Sequence, residues 1–418
     1  MKIKINTIED VVNYQLCTGC GACASAEPSR YEMHDVSDFG RRPTLKTDAS
    51  ISSGEAMQAC PGHSLKHRPM DKLSGFLKKY RPAWGPVLEV YEGYSTQSDL
   101  RYKGSSGGVL SALATFGINN TRAENVIHVG SDPEAPYLNK TVISKNSDDI
   151  ARNCGSRYAT SSPCEALQDF SDGDNPYIFI GKPCDSAALD KLTCQSHSLK
   201  SNLVISLSFF CAGVPSTTGN LALLERQGFT EPTQIDHLKY RGEGWPGRWR
   251  ATRHDKSSEL SYAESWGFLQ AFRQWRCHIC PDHSGEFSDI SVGDPWYREI
   301  KPEDQGQSLI IVRSEKGREY LKKAVSAGYI SISTNTPEIL PKSQPNLLIS
   351  RGALWGRLLI LRLTGSPMPS YQGFSFFIHW VRELSILQKI QSLVGTIKRV
   401  KRKSLRRSAS IIDEIGKN

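Results

Sequence analysis

The 418-residue sequence predicts an α/β (α+β) protein in several parts, and three features carry that expectation. Strand-spaced and helix-spaced apolar runs alternate through the middle of the chain. The N-terminal segment, up to about residue 65, is rich in Cys, Ser and Pro with little periodicity. The C-terminal part ends in helix-spaced apolar positions followed by a basic run.

At roughly 100–200 residues per domain the length suits two or three units. The composition shifts divide the chain into a compact N-terminal unit over 1–68, a Pro-bounded linker over 69–86, an α/β domain over 87–340 and a helical extension with a basic tail over 341–418. Within the α/β domain, Val87–Tyr94 reads as a strand, Gly107–Gly117 as a helix and Asn125–Gly130 as a strand. Cys164–Phe170 reads as a short helix, Tyr177–Ile180 as a strand, Ser186–Leu192 as a helix and Leu203–Phe210 as a buried strand. Ile235–Arg253, rich in Gly and Trp, reads as short strands and loops, Ser308–Arg313 as a strand and Glu315–Gly328 as an amphipathic helix. In the extension, apolar residues from Phe377 to Ile397 recur at helical spacing.

Hydrophobic residues at 38% and charged residues at 23% exclude disordered, collagenous and coiled-coil classes. The chain lacks an apolar run of about 18 residues, so an integral membrane protein is not expected. Met-Lys-Ile-Lys-Ile-Asn at the start precedes no apolar segment, and a cytoplasmic protein is the expectation. The net charge is +9, but the run Lys398–Arg407 holds seven cations and no acid. The body is therefore nearly balanced, and no nucleic-acid partner is expected.

Eleven cysteines in a reducing compartment point to metal or redox chemistry wherever they are closely spaced. Cys17-Thr-Gly-Cys20-Gly-Ala-Cys23 presents three thiolates from one tight loop, and Cys60-Pro61 supplies a fourth. That spacing suits a [4Fe–4S] cluster in a ferredoxin-like N-terminal domain, whereas structural zinc favours paired Cys-x2-4-Cys knuckles. A second set comprises Cys184 and Cys211, each following a predicted strand, and Cys277-His-Ile-Cys280. Strand ends at one edge of a parallel sheet gather such residues, so a second [4Fe–4S] cluster is expected, with zinc and a redox dithiol as alternatives. Cys154, Cys164 and Cys194 read as small buried hydrophobes.

Gly104, Ser105, Ser106, Gly107 and Gly108 follow a strand and open an apolar helix, an arrangement that frees backbone N–H groups for a phosphate or makes an ordinary turn. Ser156, Arg157, Tyr158 and Lys182 are candidates for the same site: the cations neutralise a diphosphate and the ring stacks on a flavin, or the charges are solvated on loops. Trp245, bracketed by glycines, walls a cofactor pocket or caps the core, and Asp294 before Pro295 caps the following turn or takes part in the site. No His–Asp or Ser–His pairing marks an acid–base site, so no catalytic residue is assigned.

Seven segments in this order resemble the family of coenzyme F420 hydrogenase/dehydrogenase beta subunits, which also includes a plant chlorophyll-cycle reductase. They are Cys-Thr-Gly-Cys-Gly-Ala-Cys at 17–23, Gly-Ser-Ser-Gly-Gly-Val at 104–109, Gly-Lys-Pro-Cys at 181–184, Phe-Cys-Ala-Gly at 210–213, Arg-Gly-Glu-Gly-Trp-Pro-Gly at 241–247, Cys-His-Ile-Cys-Pro at 277–281 and Asp-Ile-Ser-Val-Gly-Asp-Pro-Trp at 289–296. They span about residues 10–335. The resemblance implies noncovalent FAD, one or two [4Fe–4S] clusters, and electron transfer between a one-electron carrier such as ferredoxin and a two-electron acceptor such as coenzyme F420 or another organic substrate. Clusters pass single electrons and flavins one or two, which agrees with the residue-level reading. The C-terminal extension is similar to that of bacterial members associated with polysaccharide biosynthesis, and a redox protein of such a pathway is one alternative. Others are a non-catalytic electron-transfer subunit of a larger complex and a zinc-stabilised interaction protein. The basic tail has three readings: a solvated end, a peripheral contact with anionic lipid, and a contact with an acidic redox partner.

Overall fold

The structure, a computed structural model, describes residues 3–67, 75–301 and 303–411. Eight segments form the central sheet: β1 (Glu89–Ser95), β2 (Asn125–Ser131), β3 (Asn139–Ser144), β4 (Tyr177–Gly181), β5 (Leu203–Phe209), β6 (Ile290–Gly293), β7 (Ser308–Val312) and β8 (Ile330–Ile332). Their spatial order is β8-β1-β7-β6-β5-β4-β2-β3. The middle four, β6, β5, β4 and β2, run parallel, and antiparallel pairings finish both sides. The fold is thus mixed α/β.

Alternation along the strands decides what each face buries. Ile178, Ile205, Leu207, Ile310 and Val312 face the helices Val109–Asn120 and Glu315–Ser326 through Leu113, Phe116, Tyr320 and Leu321. On β4 the neighbouring Tyr177 and Phe179 face the opposite way, against Leu189 and Leu192 of helix Pro183–Gln195. A three-stranded antiparallel sheet over His237–Lys239, Arg248–Arg253 and Lys256–Ser261 packs Trp249 and Ala251 on Leu223, Leu224 and Leu269.

Several expectations are corrected. The N-terminal segment, expected to be loop-rich and without an apolar core, contains an antiparallel hairpin, Tyr31–Val36 with Gly40–Leu45. Its Ile8, Val11, Val12 and Leu16 share one apolar core with Leu354, Leu361, Phe376 and Val400 from the far end of the chain. The linker expected at 69–86 lies partly outside the described residues. Its described part is packed: Trp84 is buried, and Arg313 donates to the carbonyls of Trp84 (2.6 Å) and Pro86 (2.8 Å). The short helix expected at 164–170 is a 3-10 helix, Pro163–Phe170. The stretch of helical spacing up to Ile397 is two helices, Phe376–Arg382 and Ile386–Arg402, because Ser385 starts a new helix with a capping box to Gln388. Helix Pro345–Leu363 lies inside the extension expected to be helical, in a part for which the sequence gives no helix bounds. Its buried Arg351 donates to Glu286 and to the Pro281 carbonyl, tying the extension to the loop that follows Cys280.

Candidate functional site

At the C-terminal ends of β4, β5 and β6 a cleft of about 260 Å³ opens. Gly104, Ser105, Ser106, Gly108, Ser156, Arg157, Tyr158 and Lys182 all line it. Gly107 stands behind the lining, against Gln307, where a Cβ would come within 2.9 Å of the Gln307 backbone. Gly108 has φ +70°, and a Cβ there would lie 2.3 Å from the Leu100 carbonyl oxygen, so this turn requires glycine. No side chain caps helix Val109–Asn120, leaving its first N–H groups at the cleft for an anion.

The two cations expected to face a phosphate are committed elsewhere. Arg157 donates to Asn139 Oδ1 (2.6 Å) and to the carbonyls of Pro136, Leu138 and Leu238. Lys182 Nζ lies 2.7 Å from Asp185 Oδ1 and 3.1 Å from the Ser161 carbonyl. Burial opposes the lysine's charge, but Asp185 beside it keeps it protonated. Both line the cleft and are at the same time internal ties that shape it. Asp294 is not a turn cap: its carboxylate accepts from Arg241 (2.6 and 2.8 Å) and from Trp245 Nε1 (2.9 Å). Arg241 also lies over the ring of Tyr262, 4.8 Å from its centroid, and Tyr262 stacks on Trp296 at 5.1 Å. Tyr262, Trp266 and Trp296 form an aromatic wall of the cleft, with Trp245 behind Trp296. Arg241 and Trp296 lie inside quoted motifs, whereas Tyr262 and Trp266 carried no sequence signal beyond their type.

Cys184, Cys211, Cys277 and Cys280 line one adjoining cavity of about 30 Å³. Cys211, Gly213 and Val214 belong to the walls of both spaces. Cys184 sits in the first turn of helix Pro183–Gln195, but burial, and then the Asp185 carboxylate beside it, raise its thiol well above the ordinary range. Burial and the charges of Cys277 and Cys280 push the Cys211 thiol up to about 12, and burial chiefly raises Cys280 to about 11. Val214 N donates to Cys277 Sγ over 3.4 Å.

Cys17, Cys20, Cys23 and Cys60 are all buried. Burial, then the charges of Cys20 and Cys17, push Cys60 up to about 12, and burial with Cys17, Cys20 and Cys60 raises Cys23. The four thus lie within electrostatic reach of one another. Cys20 is the exception, lowered to about 7 by a hydrogen bond from the Cys164 thiol. Cys164, expected to be a passive hydrophobe, thus touches the N-terminal set, and its own N–H donates to the Cys20 carbonyl at 3.0 Å. Gly19 N donates to Cys17 Sγ at 3.3 Å, an amide turned toward sulfur. Among the described residues no three His, Cys, Asp or Glu side chains converge tightly enough for a single metal ion.

Two buried arginines that sequence reasoning missed accompany the thiols. Arg42 bonds Gln274 Oε1 (2.8 Å) and the Arg41 carbonyl, and Arg276 bonds the carbonyls of Pro61 and Ile279. The Nε of each is buried without a partner. Buried thiols that resist ionisation in one another's company, beside cations with spare donors, suit an inorganic centre that takes thiolates and carries net negative charge.

A mixed α/β fold with a cleft at its parallel strand ends and cysteines in the adjoining wall defines the class: an α/β protein whose ligand cleft stands beside a group of thiols. Residues 90–168 match the N-terminal sequence profile, and 174–338 the C-terminal profile, of the coenzyme F420 hydrogenase/dehydrogenase beta subunit. The chain belongs to this family. It is 24% identical over 327 residues to a coenzyme F420-dependent sulfite reductase of Methanocaldococcus jannaschii, covering 76% of this chain and 47% of that protein. The chain therefore spans about half the length of that relative. It is 23% identical to a coenzyme F420 hydrogenase subunit beta of Methanococcus voltae, covering 62% of this chain and 88% of that one. It is 22% identical to a coenzyme F420 hydrogenase subunit beta of Methanothermobacter thermautotrophicus, covering 58% and 83%. In three dimensions it resembles a chain of the F420-reducing [NiFe] hydrogenase complex of Methanosarcina barkeri, with a TM-score of 0.51, 19% identity, and coverage of 66% of this chain and 95% of that one. Residues 3–67 and the helices after 345 lie outside both matched profile ranges.

Proposed function

We propose that this chain is a FAD- and iron–sulfur-dependent oxidoreductase that passes electrons between a one-electron protein carrier, ferredoxin-like, and a two-electron acceptor such as coenzyme F420 or another organic molecule. The observation that carries the reading is the shared wall: Cys211, Gly213 and Val214 line both the four-cysteine cavity and the cleft. Cys184, Cys211, Cys277 and Cys280 would hold one [4Fe–4S] cluster, and Cys17, Cys20, Cys23 and Cys60 another in a ferredoxin-like N-terminal unit. The helix start after Gly108 would receive a phosphate, and Tyr158, Tyr262 and Trp296 would flank a planar ring. At about 260 Å³ the cleft is close to the lower end of ligand sites, roughly 300–1,000 Å³, so a dinucleotide would reach beyond it. When bound, clusters supply one-electron steps and the flavin converts them to two-electron chemistry. The protein's part is to fix the centres side by side, to exclude water with the aromatic wall, and to balance thiolate charge with Arg42 and Arg276.

Anaerobic reconstitution with iron, sulfide and FAD, followed by iron counting and reductive titration, tests this. Two clusters and one flavin per chain are the expected result, and a colourless zinc-only protein would falsify the reading. The hydrogenase relatives, which are beta subunits by name, support a second reading: an electron-transfer component whose substrate chemistry belongs to a partner chain. Turnover by the isolated chain with reduced ferredoxin and F420 separates the two.

A further inference from the structure

The last long helix packs in the opposite sense to an ordinary amphipathic helix. Ile386–Arg402 turns Ser392, Thr396 and Val400 inward, with Ser392 against Gly356 of helix Pro345–Leu363 and accepting from Trp380 Nε1 at 3.2 Å. Its apolar side faces out. Leu387, Ile390, Val394 and Ile397 recur every three to four residues as one stripe, between 40% and 64% exposed, and Ile386 at the helix start is 77% exposed. Phe377, Ile378 and Val381 of the preceding short helix are exposed as well, as is Leu363. Isolated exposed aliphatics are ordinary, but a contiguous patch marks a surface that something covers.

The charge beside the patch identifies the occupant. From Leu384 to Ile412 the sequence has no acidic residue, while Lys398, Lys401, Arg402, Arg406 and Arg407 are exposed just beyond the stripe. A second copy would bring the same cations face to face. Protein hot spots favour Trp, Tyr and Arg, whereas this stripe is Ile, Leu and Val. An apolar face with Lys and Arg at its flank is the pattern of a helix lying in the plane of a membrane interface. Small residues such as Gly356 and Ser392 at the helix contact also leave the large aliphatics free to point away.

We infer that helices Phe376–Arg382 and Ile386–Arg402 seat the protein on an anionic lipid surface, the aliphatic stripe entering the acyl boundary and the basic run meeting the headgroups. No helix among the described residues is long and apolar enough to cross a membrane, so this contact lies along the surface. It is independent of the redox proposal.

Flotation of the full-length holoprotein with vesicles of phosphatidylcholine alone or mixed with phosphatidylglycerol tests it. The expected result is binding to the mixed vesicles that weakens as salt rises, with little binding to the neutral ones. Leu387→Gln with Ile390→Gln and Val394→Gln should lower the partition coefficient at least tenfold, with circular dichroism, iron and flavin content unchanged. Lys401→Gln with Arg402→Gln and Arg406→Gln should remove most of the salt dependence. Three results would overturn the inference: no binding to anionic vesicles, equal binding by the aliphatic variant, or a dimer in solution that the aliphatic variant splits.

Discussion

Arg276 donates to the carbonyl of Pro61, 215 positions away and immediately after Cys60, over 3.2 Å. Its other terminal nitrogen bonds the Ile279 carbonyl, between Cys277 and Cys280, at 3.4 Å. One buried guanidinium therefore bridges the two cysteine sets, and its charge is felt at Cys17 on one side and at Cys280, Cys184 and Cys277 on the other. A cation there favours added negative charge in either set. Arg276→Gln should shift the reduction potentials of the reconstituted protein negative, on the order of 50 mV, while Arg276→Lys shifts them less. EPR-monitored titration reads this directly, and unchanged potentials in the Gln variant would reduce Arg276 to a structural tie.

On the proposed function the two cysteine sets share no residue, so each should load by itself. Cys60→Ser and Cys280→Ser should each lower the bound iron by about half, and the double variant should lower it to near zero. Iron and sulfide analysis after anaerobic reconstitution is the measurement. Full iron in either single variant would remove that cysteine from the proposed set.

The Arg241–Asp294 pair is bidentate and walls the cleft. Asp294→Asn leaves a buried guanidinium without its counter-charge and should cost about 3 kcal/mol of stability. The double variant Arg241→Met with Asp294→Leu should lose less than the single changes added together. Denaturant titrations in a double-mutant cycle check both, and strict additivity would show that the pair is not coupled.

His128 is buried, within 2.7 Å of Ser144 Oγ, and burial pushes its imidazole down to about 4. Below the ordinary value near 6.5 the unfolded chain binds a proton that the folded chain refuses until about 4, so stability falls as pH drops through that window. At pH 5 the contribution lost is roughly 2 kcal/mol. Other buried histidines act in the same direction, so the readout is a comparison: His128→Gln should lose less stability between pH 7 and pH 5 than the parent protein. Equal losses would mean that His128 carries none of the acid sensitivity.

Most of the central sheet was legible because its signals are local. The apolar runs Tyr177–Ile180, ended by Gly181, and Leu203–Phe209 depend on neighbours in the chain, and the observed strands differ from the expected ones by one or two residues. The bounds of helix Pro345–Leu363 escaped because its apolar residues have little periodic bias, a consequence of packing against several elements at once. The N-terminal hairpin escaped because only Tyr31-Glu-Met-His34 alternates, while its second strand, Gly-Arg-Arg-Pro-Thr-Leu at 40–45, shows no alternation and holds a proline.

The amino-acid sequence by itself determined which chemistry is available: thiols at Cys-x2-Cys spacing, glycines where a backbone must come close, and strand ends that deliver Cys184 and Cys211 to one edge. Tertiary structure decided which charges remain free. Lys182 is held by Asp185, Arg241 by Asp294 and Arg157 by four acceptors on strands and loops, whereas Arg42 and Arg276 keep an unpartnered nitrogen near the cysteines. Apart from Lys182 and Asp185, neighbours at one helix start, such assignments depend on partners far apart in the chain, which sheet order and loop packing bring together. The desolvation of a charge, which sets whether it must find an internal partner, is a property of the folded interior.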